Sequence, residues 1–389
     1  MKKKIGIDLG GSKYCVGVWR NNKVEIIPNN LGERITPSII TFNNSIKIGN
    51  EAKKSIIKND KNTINYIKQL IGKKFSDTII QKNKNLWPFK LEKDNNDKIL
   101  ICVEYKNQEK KFHPEQILSI ILENIKENAE NFLGEKVKDV VITVPIYFSK
   151  LQKEAIEEAC KIASLNVQII DEPYAALLAY NFFENRIEKR NICIFDIGRK
   201  LDISILEINN KKYSLKSINS DLLLFNDEFD TLLINYCIKK FEEETDIDIS
   251  NNKKALRKFK LELENIKIHY SSFKEIIINL DSFINNEDFY FVLSREDFEN
   301  SNKDLFDKCI ECLKNTLLQS NLQKNEIKDL VLIGGFSRIP KIQEEIIRFF
   351  DSQINIWKSL NPDEVIAIGA AIKGHMIDES ESLSSSNSN

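Results

Sequence analysis

Long apolar runs, a charge excess and clustered metal ligands are all missing from the 389 residues. No uninterrupted apolar stretch reaches transmembrane length, so no membrane span is expected. The start, MKKKIGIDLGGSKYC, is basic but meets Asp8 before any apolar h-region can form, so no signal peptide is expected either. The seven cysteines are scattered, which suits a reduced cytoplasm better than a disulfide framework. Cys309 and Cys312 are the one close pair. They lie in a helix-like stretch with no second pair to complete a zinc site, so helix packing explains them. Three isolated histidines, 113, 269 and 375, suggest no metal. Lysine plus arginine nearly balance aspartate plus glutamate, for a formal charge of −1, so nothing global favours nucleic acid or an anionic membrane.

What remains is a soluble globular composition, 42% hydrophobic and 30% charged, in a chain too long for one ordinary core. Its halves open alike. Residues 4–18, KIGIDLGGSKYCVGV, run strand, Asp8-Leu9-Gly10, turn, strand. Residues 191–206 repeat the plan with Asp196-Ile197-Gly198. A third strand-to-turn signal, DLVLIGGFSRIP, carries Gly334-Gly335 and Arg338, and helical periodicity follows each group. Strands alternating with helices predict an α/β protein of two related lobes, with a ligand in the cleft between them.

Two aspartates at strand ends can hold a hydrated Mg²⁺, which keeps several waters and takes few protein ligands. Glycine turns let backbone N–H groups approach phosphate oxygens. One Asp-x-Gly is common in any turn; two at equivalent positions, with Gly-Gly-x-x-Arg besides, form a more specific set. The Gly-x-x-x-x-Gly-Lys phosphate loop is absent.

On the stretches IGIDLG, RITPSIITF, IKQLIGKKF, VVITVPIYF, DEPYAALLAY, LIGGFSRIPKIQ and NPDEVIAIGAAI, the chain resembles the nucleotide-binding domain of the heat shock protein 70 chaperone family. The resemblance runs from residue 4 to about 376. It implies the actin-like ATPase fold, with two lobes of related ribonuclease-H-like subdomains around a central nucleotide cleft. It also implies ATP or ADP with Mg²⁺ as cofactors. Lys68 matches the lysine that reaches the γ-phosphate and attacking water, and Glu172 matches the carboxylate that orients water near the metal. Asp8 and Asp196 match the aspartates around the hydrated Mg²⁺. Gly10, Gly11, Ser12 and Lys13 form the first phosphate loop, and Gly198 belongs to the second. Glu264, Lys267 and Ser271 fit the adenosine-site spacing, on one face of a helix, and Gly335, Arg338 and Asp363 complete that site. Without the family, Lys68 reads as a solvated helix lysine, Glu264 and Lys267 as a surface ion pair, and Glu172-Pro173 as a strand-to-helix junction.

The chain also departs from the family. Gly11-Ser12 replaces two threonines in the first loop. In the second, Gly198-Arg199-Lys200 replaces Gly-Gly-Gly-Thr and the turn is one residue short. Leu224-Phe225-Asn226-Asp227 replaces a segment carrying two glycines, and the arginine that precedes Glu172 in the family, part of the contact with J-domain co-chaperones, has no match in NVQIIDEP. Losing a preorganised donor typically slows a reaction by about 10²–10³, whereas the adenosine contacts remain.

The expected protein is therefore a chaperone-family member that binds ATP or ADP and hydrolyses weakly or not at all, acting through its conformation. A conventional chaperone ATPase domain and a nucleotide-independent scaffold are the alternatives. Expected partners are a nucleotide-exchange factor, a J-domain protein lacking one of its usual contacts, and, by similarity to a diverged branch, ribosomes. No direct nucleic-acid or membrane binding is expected. The expected division is a first lobe over 1–187, a second over 188–377 and a disordered Ser/Asn-rich tail over 378–389, with no peptide-binding domain in the sequence.

Overall fold

The computed structural model describes residues 3–386, apart from 57, 86, 182–188, 199, 211, 222–224, 251, 253, 254, 257, 260–272, 285 and 286. The chain forms two compact units. One comprises Met1–Glu184 with Asp363–Asn389, and the other Asn185–Pro362.

The first unit is built on a mixed sheet in the order Asn166–Asp171, Asp139–Val144, Ile5–Leu9, Lys13–Arg20, Lys23–Ile26, with Ile35–Pro37 also paired to Lys13–Arg20. Ile5–Leu9 runs parallel to Asp139–Val144 on one side and antiparallel to Lys13–Arg20 on the other. Its near-continuous apolar sequence suits a strand covered on both faces. Helix Lys150–Ile162 makes the crossover to Asn166–Asp171. Ser149 Oγ accepts from the Gln152 N–H, while Gln152 Oε1 accepts from the Ser149 N–H, a reciprocal cap that fixes where the helix starts. Ala155, Ile156, Ala159 and Cys160 form its buried stripe. Helix Glu172–Ala179 begins where Asn166–Asp171 ends, with Pro173 in its first turn, where a missing N–H costs nothing.

Helix Val365–Ser386 returns to this unit. The sequence-based division put residues 363–377 with the second lobe and a disordered tail from 378. Here the helix continues to Ser386, and Lys4 pairs with its Asp378 and Glu381 at 2.7 and 2.8 Å. It crosses Glu172–Ala179 closely enough that a Cβ on Gly369 would lie 1.8 Å from the Ala175 carbonyl oxygen. Gly369→Ala is therefore expected to destabilise the protein by about 2–3 kcal/mol, since overpacking against backbone cannot relax through a rotamer. Urea unfolding checks this, and an unchanged midpoint would mean the two helices can separate freely.

The second unit repeats the plan in the order Lys212–Asp221, Leu201–Asn209, Arg190–Ile197, Ile327–Ile333, Asn355–Trp357. Arg190–Ile197 is again antiparallel to the next strand and parallel to the later one, Ile327–Ile333. Each unit has its own hydrophobic core. In the second, Cys309 is buried on helix Lys303–Gln319, as expected of a packing cysteine. Among the described residues no helix is long and apolar enough to cross a membrane.

Candidate functional site

In the first unit, register sets the chemistry. Asp8 lies level with Thr143, and Val144 pairs with Asp171. Asp8 and Glu172 therefore emerge at the same edge, the carboxyl ends of parallel strands where open α/β sheets bind ligands. Lys68 reaches that edge from the short helix Ile67–Leu70, which starts at Tyr66 in the left-handed region (φ 68°). Its Nζ lies 2.6 Å from Glu172 Oε1, and both side chains are nearly buried. The Lys68 ammonium also sits 5.9 Å from the centre of the Phe148 ring, an apolar wall that fixes it further.

The loop after Ile5–Leu9 supplies Gly10, Gly11 and Ser12, and Lys13 opens the next strand. Ser38 staples the loop. Its N–H donates to the Ser12 carbonyl at 2.9 Å, and its hydroxyl donates to the Gly10 carbonyl at 3.5 Å. A Cβ on Gly10 would meet the Lys13 carbonyl oxygen at 2.4 Å, so the cradle requires a residue with no side chain. Lys13 Nζ lies 2.6 Å from Asp363 Oδ1, whose side chain is only 8% exposed. The adjacent Glu364 accepts two bonds from Arg34, at 2.8 and 2.7 Å. Sequence reading missed this Arg34–Glu364 clamp. Arg34 lies in the family-like stretch RITPSIITF, but nothing local shows what it meets 330 residues later.

Burial pushes the Asp8 carboxyl up to about 7; the carboxylates of Glu172 and Asp363 push the same way, while Lys68 and Lys13 oppose it. Five of the sequence-predicted residues, Asp8, Lys13, Lys68, Glu172 and Asp363, thus act on one another in one unit. A buried carboxyl that keeps its proton would suit a hard divalent cation, which favours the ionised form. Paired lysines beside it suit phosphate oxygens.

The second unit places Asp196 at the corresponding strand end, level with Ile333. Gly334 follows at φ 79°, and a Cβ there would lie 2.8 Å from Asp196 Oδ1 and 2.5 Å from the Ile197 carbonyl oxygen. This glycine sits against the carboxylate. Gly335 and Arg338 bound a short 3₁₀ helix, and Arg338 donates to Asn361. The turn itself differs from its counterpart. Asp8 pairs with Cys15 across the six residues 9–14, while Asp196 pairs with Asp202 across the five residues 197–201. The Gly198 N–H donates to the Lys200 carbonyl at 3.0 Å, so that amide is used inside the turn. Glu264, Lys267, Ser271 and Arg199 lie outside the described residues.

Residues 4–384 match the family model described as "Hsp70 protein". The heat shock cognate 70 kDa protein 3 of Dictyostelium discoideum is 40% identical over 379 residues, covering 96% of this chain and 60% of that protein. A heat shock 70 kDa protein of Emericella nidulans is 38% identical, covering 100% of this chain and 60% of its own length. The heat shock 70 kDa protein 2 of Paracoccidioides lutzii is also 38% identical, with 59% of its length matched. The chain thus spans about 60% of the length of these curated relatives.

Proposed function

Because the chain belongs to the Hsp70 family and has its α/β, actin-like fold, we propose that it binds ATP and ADP with Mg²⁺ and hydrolyses ATP slowly, serving protein folding through its nucleotide-stabilised conformation. The observation that carries this reading is the contrast between the two phosphate-facing turns. The first retains a glycine cradle beside Asp8, Lys68 and Glu172. In the second, the hairpin is shorter and the Gly198 amide is already engaged.

In this reading Asp8, with Asp196 and Glu172 acting through water, holds the metal. Mg²⁺, when bound, would draw charge from the phosphate oxygens. Lys68 directs its ammonium at the terminal phosphate. Glu172, which fixes Lys68 at 2.6 Å, holds water in place by accepting its hydrogen bonds. Gly10, Gly11, Ser12, Lys13 and Gly198 belong to the phosphate contacts, and Glu264, Lys267, Ser271, Gly335, Arg338 and Asp363 to the adenosine contacts. A conventional ATPase domain is the second reading, favoured by the intact Lys68–Glu172 pair. Work alongside an exchange factor, a J-domain protein and ribosomes belongs to the same proposal, as does a cytoplasmic location.

Single-turnover hydrolysis of labelled ATP by excess protein separates the readings. Persistent bound ATP is expected; conversion to ADP that falls to background in Lys68→Ala from a fast starting rate would establish the conventional one. Binding is checked by thermal unfolding. A hundredfold excess of Mg-ADP over Kd is expected to add about 2.7 kcal/mol, and no shift with either nucleotide would leave a nucleotide-independent scaffold.

A further inference from the structure

We infer that Trp19 and His375 form a proton-responsive latch, which holds the distal half of helix Val365–Ser386 against the sheet of the first unit more tightly once the imidazole is charged.

Register and close approach show what lies under the helix. Asp8 pairs with Cys15 and Gly6 with Gly17, while Gly17 pairs with Ile26 and Trp19 with Val24. Alternate residues of a strand share a face, so Gly6, Gly17, Trp19, Val24 and Ile26 lie on one side of the sheet. The helix covers that side. A Cβ on Gly6 would lie 2.2 Å from the Ala371 nitrogen, so the proximal half rests backbone against backbone. The distal half is held by side chains instead. The Trp19 and His375 rings stack with centroids 4.5 Å apart and 7° between their planes. One turn on, His375 Nε2 lies 3.3 Å from Glu379 Oε1, and Lys4 binds Asp378 and Glu381.

The charged groups around the imidazole are unequal. Its own helix supplies three carboxylates nearby, Asp378, Glu379 and Glu381, and one cation, Lys373, which sits over the Tyr174 ring of helix Glu172–Ala179. Lys4 adds one ammonium, already bonded to two of those carboxylates. Strand Asp139–Val144 contributes Asp139, whose carboxylate accepts from Asn166. From Lys13–Arg20 and Lys23–Ile26 the facing side chains are Trp19 and Val24, since Arg20, Lys23 and Glu25 alternate to the opposite side. The surroundings are thus acidic overall, which favours an imidazolium. Its charge also gains a cation–π attraction to the indole face that a neutral ring lacks. With 28% of its side chain exposed, His375 exchanges protons with bulk water, and histidine changes charge between roughly pH 5 and 8. Protonation therefore favours the docked helix: the grip is complete at acidic pH and is lost as pH rises.

Hydrogen exchange read by mass spectrometry on the full chain, at pH 5.5 and 7.5 and corrected for intrinsic rates, tests the latch. Residues 374–386 are expected to open about threefold less often at pH 5.5, the effect of one partly exposed cation–π contact. Residues 365–371 should show no such difference. His375→Phe keeps the stack but cannot take a proton, so it should retain protection at pH 7.5 and gain none at pH 5.5. Trp19→Leu leaves the His375–Glu379 pair in place, and an i, i+4 pair alone is worth less than about twofold. A threefold difference that survives in Trp19→Leu would assign the effect to Glu379 and overturn the latch. Equal protection of residues 374–386 at the two pH values in wild type would overturn it as well, and so would a full pH difference in His375→Phe.

Discussion

Replacing Arg199-Lys200 by Gly-Gly-Thr is expected to raise single-turnover ATP hydrolysis by about 10²–10³. The replacement lengthens the second turn by one residue, so that Asp196 and Asp202 would enclose as many residues as Asp8 and Cys15 enclose. It also removes the register in which the Gly198 N–H is satisfied by the Lys200 carbonyl, freeing that amide to face an anion. Glycines at the tip let backbone approach phosphate without a Cβ in the way, and the threonine supplies a hydroxyl. The groups proposed for the chemistry, Lys68 and Glu172, are already at 2.6 Å, so in the proposed reading the turn is what limits the rate. Affinity for ADP should change far less than the rate, because the donors gained act mainly on charge that develops in the transition state. Introducing Lys68→Ala into the lengthened variant should return the rate to background, which shows that the gain passes through the same site. An unchanged or slower rate in the lengthened variant would mean that Arg199 and Lys200 already serve the phosphate, and the proposal of weakened hydrolysis would fall.

The repeated hairpins were legible because their signal is local. An apolar run ending in Asp, a glycine turn and a second run define the pair Ile5–Leu9 and Lys13–Arg20 as clearly as Arg190–Ile197 and Leu201–Asn209, and the two sheets share one strand order. The shortened second turn was legible for the same reason. The destination of residues 363–386 was not. A helical pattern states that one face is apolar but not which sheet it covers, and contacts such as Gly369–Ala175 and Lys4–Asp378 show that the helix returns to the first unit. The Ser- and Asn-rich composition pointed to a disordered end, yet tertiary anchoring by Lys4 overrides weak helix propensity over part of that stretch. At the site, Lys68 and Glu172 were named from motifs, whereas periodicity alone reads Lys68 as solvated. The partnerships of Lys13 with Asp363 and of Arg34 with Glu364 join positions more than 300 residues apart, beyond any local pattern.

Asp8→Asn is expected to stabilise the ligand-free protein at pH 8 and to abolish its stabilisation by Mg-ADP. Folding raises the Asp8 carboxyl from the ordinary 3.8 to about 7. Between those values the folded state binds the proton and the unfolded state does not, so this group makes stability fall as pH rises through the window. Above pH 7 the full penalty applies, with an upper limit on the order of 4 kcal/mol. Asparagine carries no charge to desolvate, so the variant should lose this slope: its unfolding midpoint exceeds that of wild type at pH 8 and converges with it near pH 4. Mg-ADP should reverse the order, because a divalent cation compensates the buried carboxylate and has nothing comparable to bind in the amide. Thermal unfolding across pH, with and without Mg-ADP, reads both effects. A variant less stable than wild type at pH 8 without ligand would mean that the ionised carboxylate is a structural anchor for Lys13 and Lys68. The expected crossing of the two curves follows from a carboxylate held where burial disfavours its charge, and that disfavour is the same free energy that the cation recovers on binding.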